Sequence, residues 1–149
     1  MPAFGPAFLL RGQSPFRKKG SDPDHAGDFR VISSPVTKLS SRHCKPCEGG
    51  VQPLQAKEAE KLLASLHADW RISDDGLEIS RAVTFPAYSR SLGFANAVAW
   101  IAISEGHHPD LLLSYSKCIV SYTTHAIGGL SDNDFICAAK VDQLIDTGE

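Results

Sequence analysis

Three of the chain's six histidines, His107, His108 and His125, lie within a stretch of nineteen positions. The ordinary pKa of imidazole lies near neutral pH, so a histidine can both accept and donate a proton under physiological conditions. The cluster therefore indicates proton transfer as its first candidate chemistry. Two alternatives stay open at this point. Three imidazoles could hold a catalytic zinc ion with one open position, or each histidine could serve only the loop or strand that carries it.

Helical periodicity predicts three helices around this cluster. Apolar residues recur on one face over residues 55–67. A second helix starts at a serine cap, Ser89 or Ser91, and runs to about residue 105; it is apolar nearly all round and must be buried on most sides. The third helix covers residues 131–145. The spacing of Ser131 and Asp134 is that of a capping box, so we expect Asp134 to cap this helix whatever else it does.

Alternation of apolar and polar residues predicts four strands. They cover residues 70–72, 77–85, 111–115 and 118–125. Asp75-Gly76 is a hairpin signal between the first two strands. The fold class is therefore α+β, with a single antiparallel four-stranded sheet, about three helices on one face, and the order α-β-β-α-β-β-α.

This arrangement brings the histidines toward each other. We expect Gly106 to end the second helix and Pro109 to prevent its continuation, so His107 and His108 lie in the loop that follows. His125 lies at the end of the fourth strand. Because an antiparallel hairpin of this length returns near its starting edge, His125 is predicted to approach His107 and His108.

Charge divides the chain near residue 43. Residues 1–43 carry seven basic and three acidic side chains, whereas the remainder carries eight basic and fourteen acidic ones. Residues 1–43 also lack a regular period and are rich in Pro, Gly and Ser, so we predict a disordered extension there and one domain over 44–149. The first 21 positions contain no acidic residue, which would also suit an organelle transit peptide. Otherwise we expect a cytoplasmic protein.

Composition and cysteine spacing exclude several classes of protein. An acidic domain lacks the electrostatic footprint of a nucleic-acid binder, and no apolar run approaches the roughly 18–20 residues of a membrane span. Cys44 and Cys47 form a CxxC pair, but no second ligand pair follows at zinc-site spacing, so no metal site is predicted there. Cys118 and Cys137 stand in apolar contexts and are expected to be buried as small hydrophobic residues.

The histidine cluster resembles a family signature. In order, the chain has Glu105-Gly106-His107-His108-Pro109, then Tyr115 after five residues, His125 after nine more and Asp134 after eight more. This pattern is similar to that of the pterin-4a-carbinolamine dehydratases. Further similarities to bacterial members lie in Cys44-Lys45-Pro46-Cys47-Glu48-Gly49-Gly50-Val51, Pro53-Leu54, Trp70, residues 124–130 and Asn133-Asp134-Phe135. The resemblance covers residues 44 to about 146 and leaves the N-terminal part outside.

The resemblance implies a hydro-lyase that dehydrates a 4a-hydroxytetrahydropterin to the quinonoid dihydropterin, in support of tetrahydrobiopterin recycling, with no metal or organic cofactor. It implies general acid/base work for His108 and His125, with His107 as a supporting acid/base residue. It further implies that Asp134 orients a histidine or stabilises an imidazolium at the substrate site. Thr124 would hydrogen-bond the pterin.

The resemblance also implies a homo-oligomer, either a dimer or a dimer of dimers, and the apolar second helix favours the same conclusion. The chain departs from the family pattern at Ile103, where relatives often have an acidic or other polar residue four positions before the first histidine. Glu105 is not equivalent to it in helical phase. An alternative function is a dimerisation or coactivator-type binding module of the same fold, without catalysis.

Overall fold

The computed structural model describes residues 39–46 and 51–146. Within this part the chain forms three α-helices and four strands in the predicted order. The helices are α1 (Ala56–Leu63), α2 (Tyr88–Glu105) and α3 (Asp132–Asp146). The strands are β1 (Arg71–Ile72), β2 (Ile79–Thr84), β3 (Asp110–Leu113) and β4 (Lys117–Tyr122). They form one antiparallel sheet in the order β1-β2-β4-β3, which confirms the α+β fold.

The two central strands, β2 and β4, carry the core face of the sheet. They pair along their whole length, from Ile79 opposite Tyr122 to Thr84 opposite Lys117. Because successive side chains of a strand point to opposite faces, each strand buries every second residue. The inward residues pack with α2 and α3 side chains such as Val98 and Phe135 in one apolar core.

A buried ionic contact fixes α3 on the sheet. Arg81 of β2 donates to the Asp142 carboxylate, and the Trp70 indole N–H donates to the same carboxylate over 2.7 Å. The backbone N–H of His67 donates to its second oxygen over 2.9 Å. Buried charges need such partners to offset their desolvation. This contact attaches the C-terminal half of α3 to the sheet.

The ends of α2 differ in how well local sequence specifies them. The predicted serine cap is wrong: Ala87 is the N-cap residue, without a side-chain hydrogen bond. Ser91 is instead buried, and its hydroxyl donates to the carbonyls of Ser114 and Tyr115 in the β3–β4 turn. The predicted stop is confirmed, since Gly106 has a φ of 64°. Glycine adopts that left-handed conformation without steric cost.

The last part of the predicted extension packs against the domain. Leu39 is buried in the core, and the Arg42 guanidinium donates to Asp132 over 2.8 Å. The predicted disorder of residues 1–38 lies outside the described residues and stays a prediction. Among residues 39–46 and 51–146, none of the helices combines the length and the apolar character that a bilayer crossing requires.

Candidate active site

A buried histidine and a buried carboxylate lie at the junction of α2 and α3. His107 follows the glycine that ends α2, and its Nε2 is 2.7 Å from Oδ1 of Asp134 in the first turn of α3. His107 is 7% exposed and Asp134 is wholly buried. The left-handed Gly106 turns the chain so that His107 points inward. The structure therefore joins two of the predicted site residues directly.

The second oxygen of Asp134 holds the carboxylate in place. It accepts hydrogen bonds from the Thr124 hydroxyl over 2.8 Å and from the Ser131 backbone N–H over 2.7 Å. The Ser131 hydroxyl accepts in turn from the backbone N–H of Asn133 over 3.2 Å. The predicted capping role of Asp134 is confirmed by its bond from the Ser131 N–H, but the capping box is incomplete, because the Ser131 hydroxyl bonds to the N–H of Asn133 and not to that of Asp134. Asp134 thus closes the first turn of α3 and orients His107 with the same side chain.

These contacts select one form of the His107 ring. An ionised carboxylate only accepts hydrogen bonds, so His107 Nε2 carries the shared proton and Nδ1 is the basic nitrogen of the neutral ring. The ring stacks on Tyr122, with centroids 5.8 Å apart and planes 9° from parallel. Burial raises the pKa of the Tyr122 hydroxyl, and among the described residues this hydroxyl has no hydrogen-bond partner. Tyr122 therefore supports the ring as a neutral aromatic surface.

The other two histidines lie at the surface. His108 is exposed in the loop after α2, and His125 is exposed at the start of a 3₁₀ turn, His125–Ile127. β4 ends at Tyr122, so the predicted strand up to His125 is three residues too long. Within the described residues, no hydrogen bond or ion pair joins His108 or His125 to His107 or Asp134. The structure places both side chains where solvent and a ligand can reach them.

A cleft of about 400 Å³ adjoins the buried pair. Two of its walls come from Thr124 and Ser131, which also hold Asp134. The complete lining is Lys45, Pro46, Val51, Gln52, Leu54, Thr124, Ile127, Ser131, Asp132 and Asn133. In the described part of the chain none of the three histidines lines this cleft. Its volume falls in the range of about 300–1,000 Å³ that is typical of small-molecule sites.

Glu105, the first residue of the quoted signature, faces away from the histidines. Its carboxylate accepts from the Cys44 backbone N–H over 2.8 Å and lies 3.3 Å from the Lys140 ammonium. Burial opposes ionisation of Glu105, but these contacts and His43 outweigh it, so the net pKa is lowered. Glu105 thus anchors the N-terminal segment. Sequence analysis did not identify this role, because its partners are 61 and 62 positions away.

Comparisons with known proteins point to one family. Residues 52–144 match the family described as pterin 4 alpha carbinolamine dehydratase. Two relatives carry the name "Putative pterin-4-alpha-carbinolamine dehydratase". The one from Nitrosomonas europaea is 55% identical over 109 residues, which are 73% of this chain and 95% of that protein. The one from Nitrosomonas eutropha is 54% identical over 110 residues, or 74% and 96%.

A solved structure is similar as well. The crystal structure of a transcriptional coactivator/pterin dehydratase from Brucella melitensis is 27% identical to this chain, with a TM-score of 0.59. The similarity covers 62% of this chain and 98% of that one. The family match over residues 52–144 contains the whole sheet, α1, α2, most of α3 and every predicted site residue. The chain belongs to the pterin 4 alpha carbinolamine dehydratase family.

Proposed function

We propose that the protein dehydrates a 4a-hydroxytetrahydropterin to the quinonoid dihydropterin by histidine acid/base catalysis. The observation that carries the proposal is the 2.7 Å contact between His107 and Asp134, two residues of the family signature. A buried carboxylate that fixes the tautomer of a histidine is a recurrent device for proton transfer. Family membership supplies the substrate class.

The reaction needs one proton donor and one proton acceptor. The hydroxyl on carbon 4a gains a proton and leaves as water, while a ring nitrogen loses a proton and its lone pair drives the departure. The proposed donor and acceptor are the exposed His108 and His125, since both can exchange protons with solvent between turnovers. The buried His107 has a proposed supporting role in this proton transfer.

Asp134 and Thr124 have more specific proposed roles than general substrate binding. Asp134 is wholly buried and its two oxygens already bond to three residues, His107, Thr124 and Ser131, so it acts through His107 as a positioning residue. Thr124 lines the adjoining cleft, and its hydroxyl donates a hydrogen bond to Asp134. A hydrogen bond to the pterin would use a lone pair of the Thr124 oxygen.

The surface of α2 supports the proposal that the protein self-associates. Four exposed apolar side chains lie along one side of the helix: Tyr88, Leu92, Trp100 and Ile103. The exposed fraction is 70% for Trp100 and 67% for Ile103. A second copy could cover this face in a closed, symmetric contact. The same face favours the second candidate function, a dimerisation or coactivator-type binding module. Catalysis distinguishes the two, because a binding module needs no proton transfer.

The test is a dehydration assay on chemically generated 4a-hydroxytetrahydropterin, run with and without chelator. We expect a rate above buffer that chelator leaves unchanged. Inactive but folded protein would contradict the dehydratase and favour the binding module. Loss of activity with chelator would favour the zinc alternative, although no three His, Cys, Asp or Glu side chains cluster as a metal site within residues 39–46 and 51–146.

A further inference from the structure

Two cysteines far apart in sequence face each other beside the candidate active site. Cys44 Sγ lies 3.5 Å from Cys137 Sγ, and the residues are 93 positions apart. Cys44 is half-buried in the surface segment 39–46, whereas Cys137 is wholly buried on α3. Cys137 comes three residues after Asp134, so the thiol pair lies one helical turn from the carboxylate that holds His107.

Several hydrogen bonds hold Cys44 in this position. Its backbone N–H donates to Glu105 over 2.8 Å. The next residue, Lys45, exchanges two backbone hydrogen bonds with the Asn133 side chain, at 3.0 and 2.7 Å. The backbone on both sides of the Cys44 thiol is therefore fixed to α2 and α3. A disulfide has an S–S distance of about 2.05 Å, so the two sulfurs, now 3.5 Å apart, must approach each other by roughly 1.5 Å to bond.

We propose that Cys44 and Cys137 are an oxidisable dithiol site, which a low-molecular-weight disulfide converts into an intrachain disulfide. The bond would tie residue 44 covalently to α3. Lys45 and Pro46, the next two residues, form part of the wall of the 400 Å³ cleft. Oxidation would thereby add a covalent link to the hydrogen bonds that already hold this part of the wall.

The exchange proceeds in two balanced steps. The Cys44 thiolate attacks one sulfur of the small disulfide, forms a mixed disulfide and releases one small thiol. The Cys137 sulfur then loses its proton, attacks Cys44 Sγ and releases the second small thiol. Two electrons pass from the protein to the reagent. Cys44 is the first nucleophile because it is the more exposed of the two, whereas Cys137 is wholly buried; the hydrogen bond with Cys44 and burial also raise the pKa of the Cys137 thiol.

Cys47 is the competing partner, because it shares a CxxC motif with Cys44. The experiment therefore compares the full-length wild-type chain with Cys47→Ser after incubation with oxidised glutathione. Unreacted thiols are alkylated in denaturant, and linked peptides are identified by mass spectrometry. We expect a Cys44–Cys137 peptide in both proteins, with Cys118 alkylated. The readout does not depend on dehydratase activity, so it stands apart from the proposed function.

Thermal unfolding gives a second measurement. Closing a loop of 93 residues should raise the Tm of oxidised Cys47→Ser by roughly 20 °C, reversibly with dithiothreitol. Cys44→Ala, a change in a surface segment, should remove this rise, whereas Cys118→Ala should keep it. The proposal would be overturned if Cys137 is still alkylated after oxidation while Cys44 is linked to glutathione or to Cys47. An unchanged Tm in a fully linked protein would overturn the claim that the bond fixes the segment.

Discussion

Replacing Asp134 by Asn should separate the charge of this side chain from its shape. The amide keeps one acceptor oxygen but replaces the other by an NH₂ donor. Because the Thr124 hydroxyl and the Ser131 N–H both donate to Oδ2, at 2.8 and 2.7 Å, the amide oxygen should take that position. The NH₂ group then faces His107. Nε2 must accept instead of donate, and its proton moves to Nδ1.

The structure indicates how large the two effects of Asp134→Asn should be. All three hydrogen bonds to the carboxylate lose their charge assistance, at about 1 kcal/mol of stability each, or a combined fall in Tm of roughly 12–24 °C for a domain of this size. Loss of correctly placed acid/base function should lower the dehydration rate by about 10²-fold or more. Asp134→Ala, in contrast, removes the acceptor of three donors, at roughly 1–3 kcal/mol each, and should impair folding.

The assay combines single-turnover dehydration, followed by absorbance, with thermal unfolding of the same samples. Nitrogen-15 NMR of the His107 ring reports the tautomer directly. Thr124→Val is the matched control for the tautomer and the Tm, though not for the rate, because it removes one hydrogen bond to Asp134 and leaves the contact with His107. A rate for Asp134→Asn within threefold of wild type, with Nε2 still protonated, would refute the role assigned to the carboxylate.

The remaining predictions concern exposed histidines, acid stability and assembly. His108→Ala and His125→Ala should each lower turnover by about 10²-fold or more with little change in Tm, since both side chains are exposed; equal losses of rate and stability would favour a structural role. Glu105→Gln should reduce the loss of stability in acid. The folded-state pKa of Glu105 lies below its usual 4.5, so its stabilisation is present above pH 4.5 and is lost as the pH falls through the folded value. An unchanged acid-unfolding curve would contradict this. Trp100→Glu should lower the mass measured by light scattering at unchanged helix content, and a wild-type monomer at micromolar concentration would remove the argument for self-association.

Strong short-range patterns explain why the fold could be predicted. Alternation in β2 and β4 identified the buried face, because the sheet packs on helices on one side only. The ends of elements were less predictable. The apolar period of α1 continues to the buried Leu66, although the α-helix stops at Leu63 and tight turns carry the chain onward. Alternation likewise continues past β4 to the buried Thr124, which pairs with Gly129 instead of β2.

The sequence identified the residues of the candidate site but not which of them contact each other. The cap at Asp134 depends on a three-residue spacing and was visible in the sequence. The contact between Asp134 and His107 spans 27 positions, and nothing local distinguishes His107 from His108 as the buried partner. The left-handed turn at Gly106 decides which of the two points inward. The contacts of Glu105 with the segment at Cys44 span still longer separations and leave no periodic signal.

The double task of Asp134 has a consequence for sorting related chains into enzymes and binding modules. A descendant that had lost catalysis would still need this carboxylate to begin α3 correctly, so selection for folding alone would retain it. Its presence is therefore a poor marker of activity. His108 and His125 are exposed, and neither has a structural role comparable to that of Asp134 at the start of α3. A related chain that keeps Asp134 but has lost both histidines would therefore be identified as a binding module without catalysis.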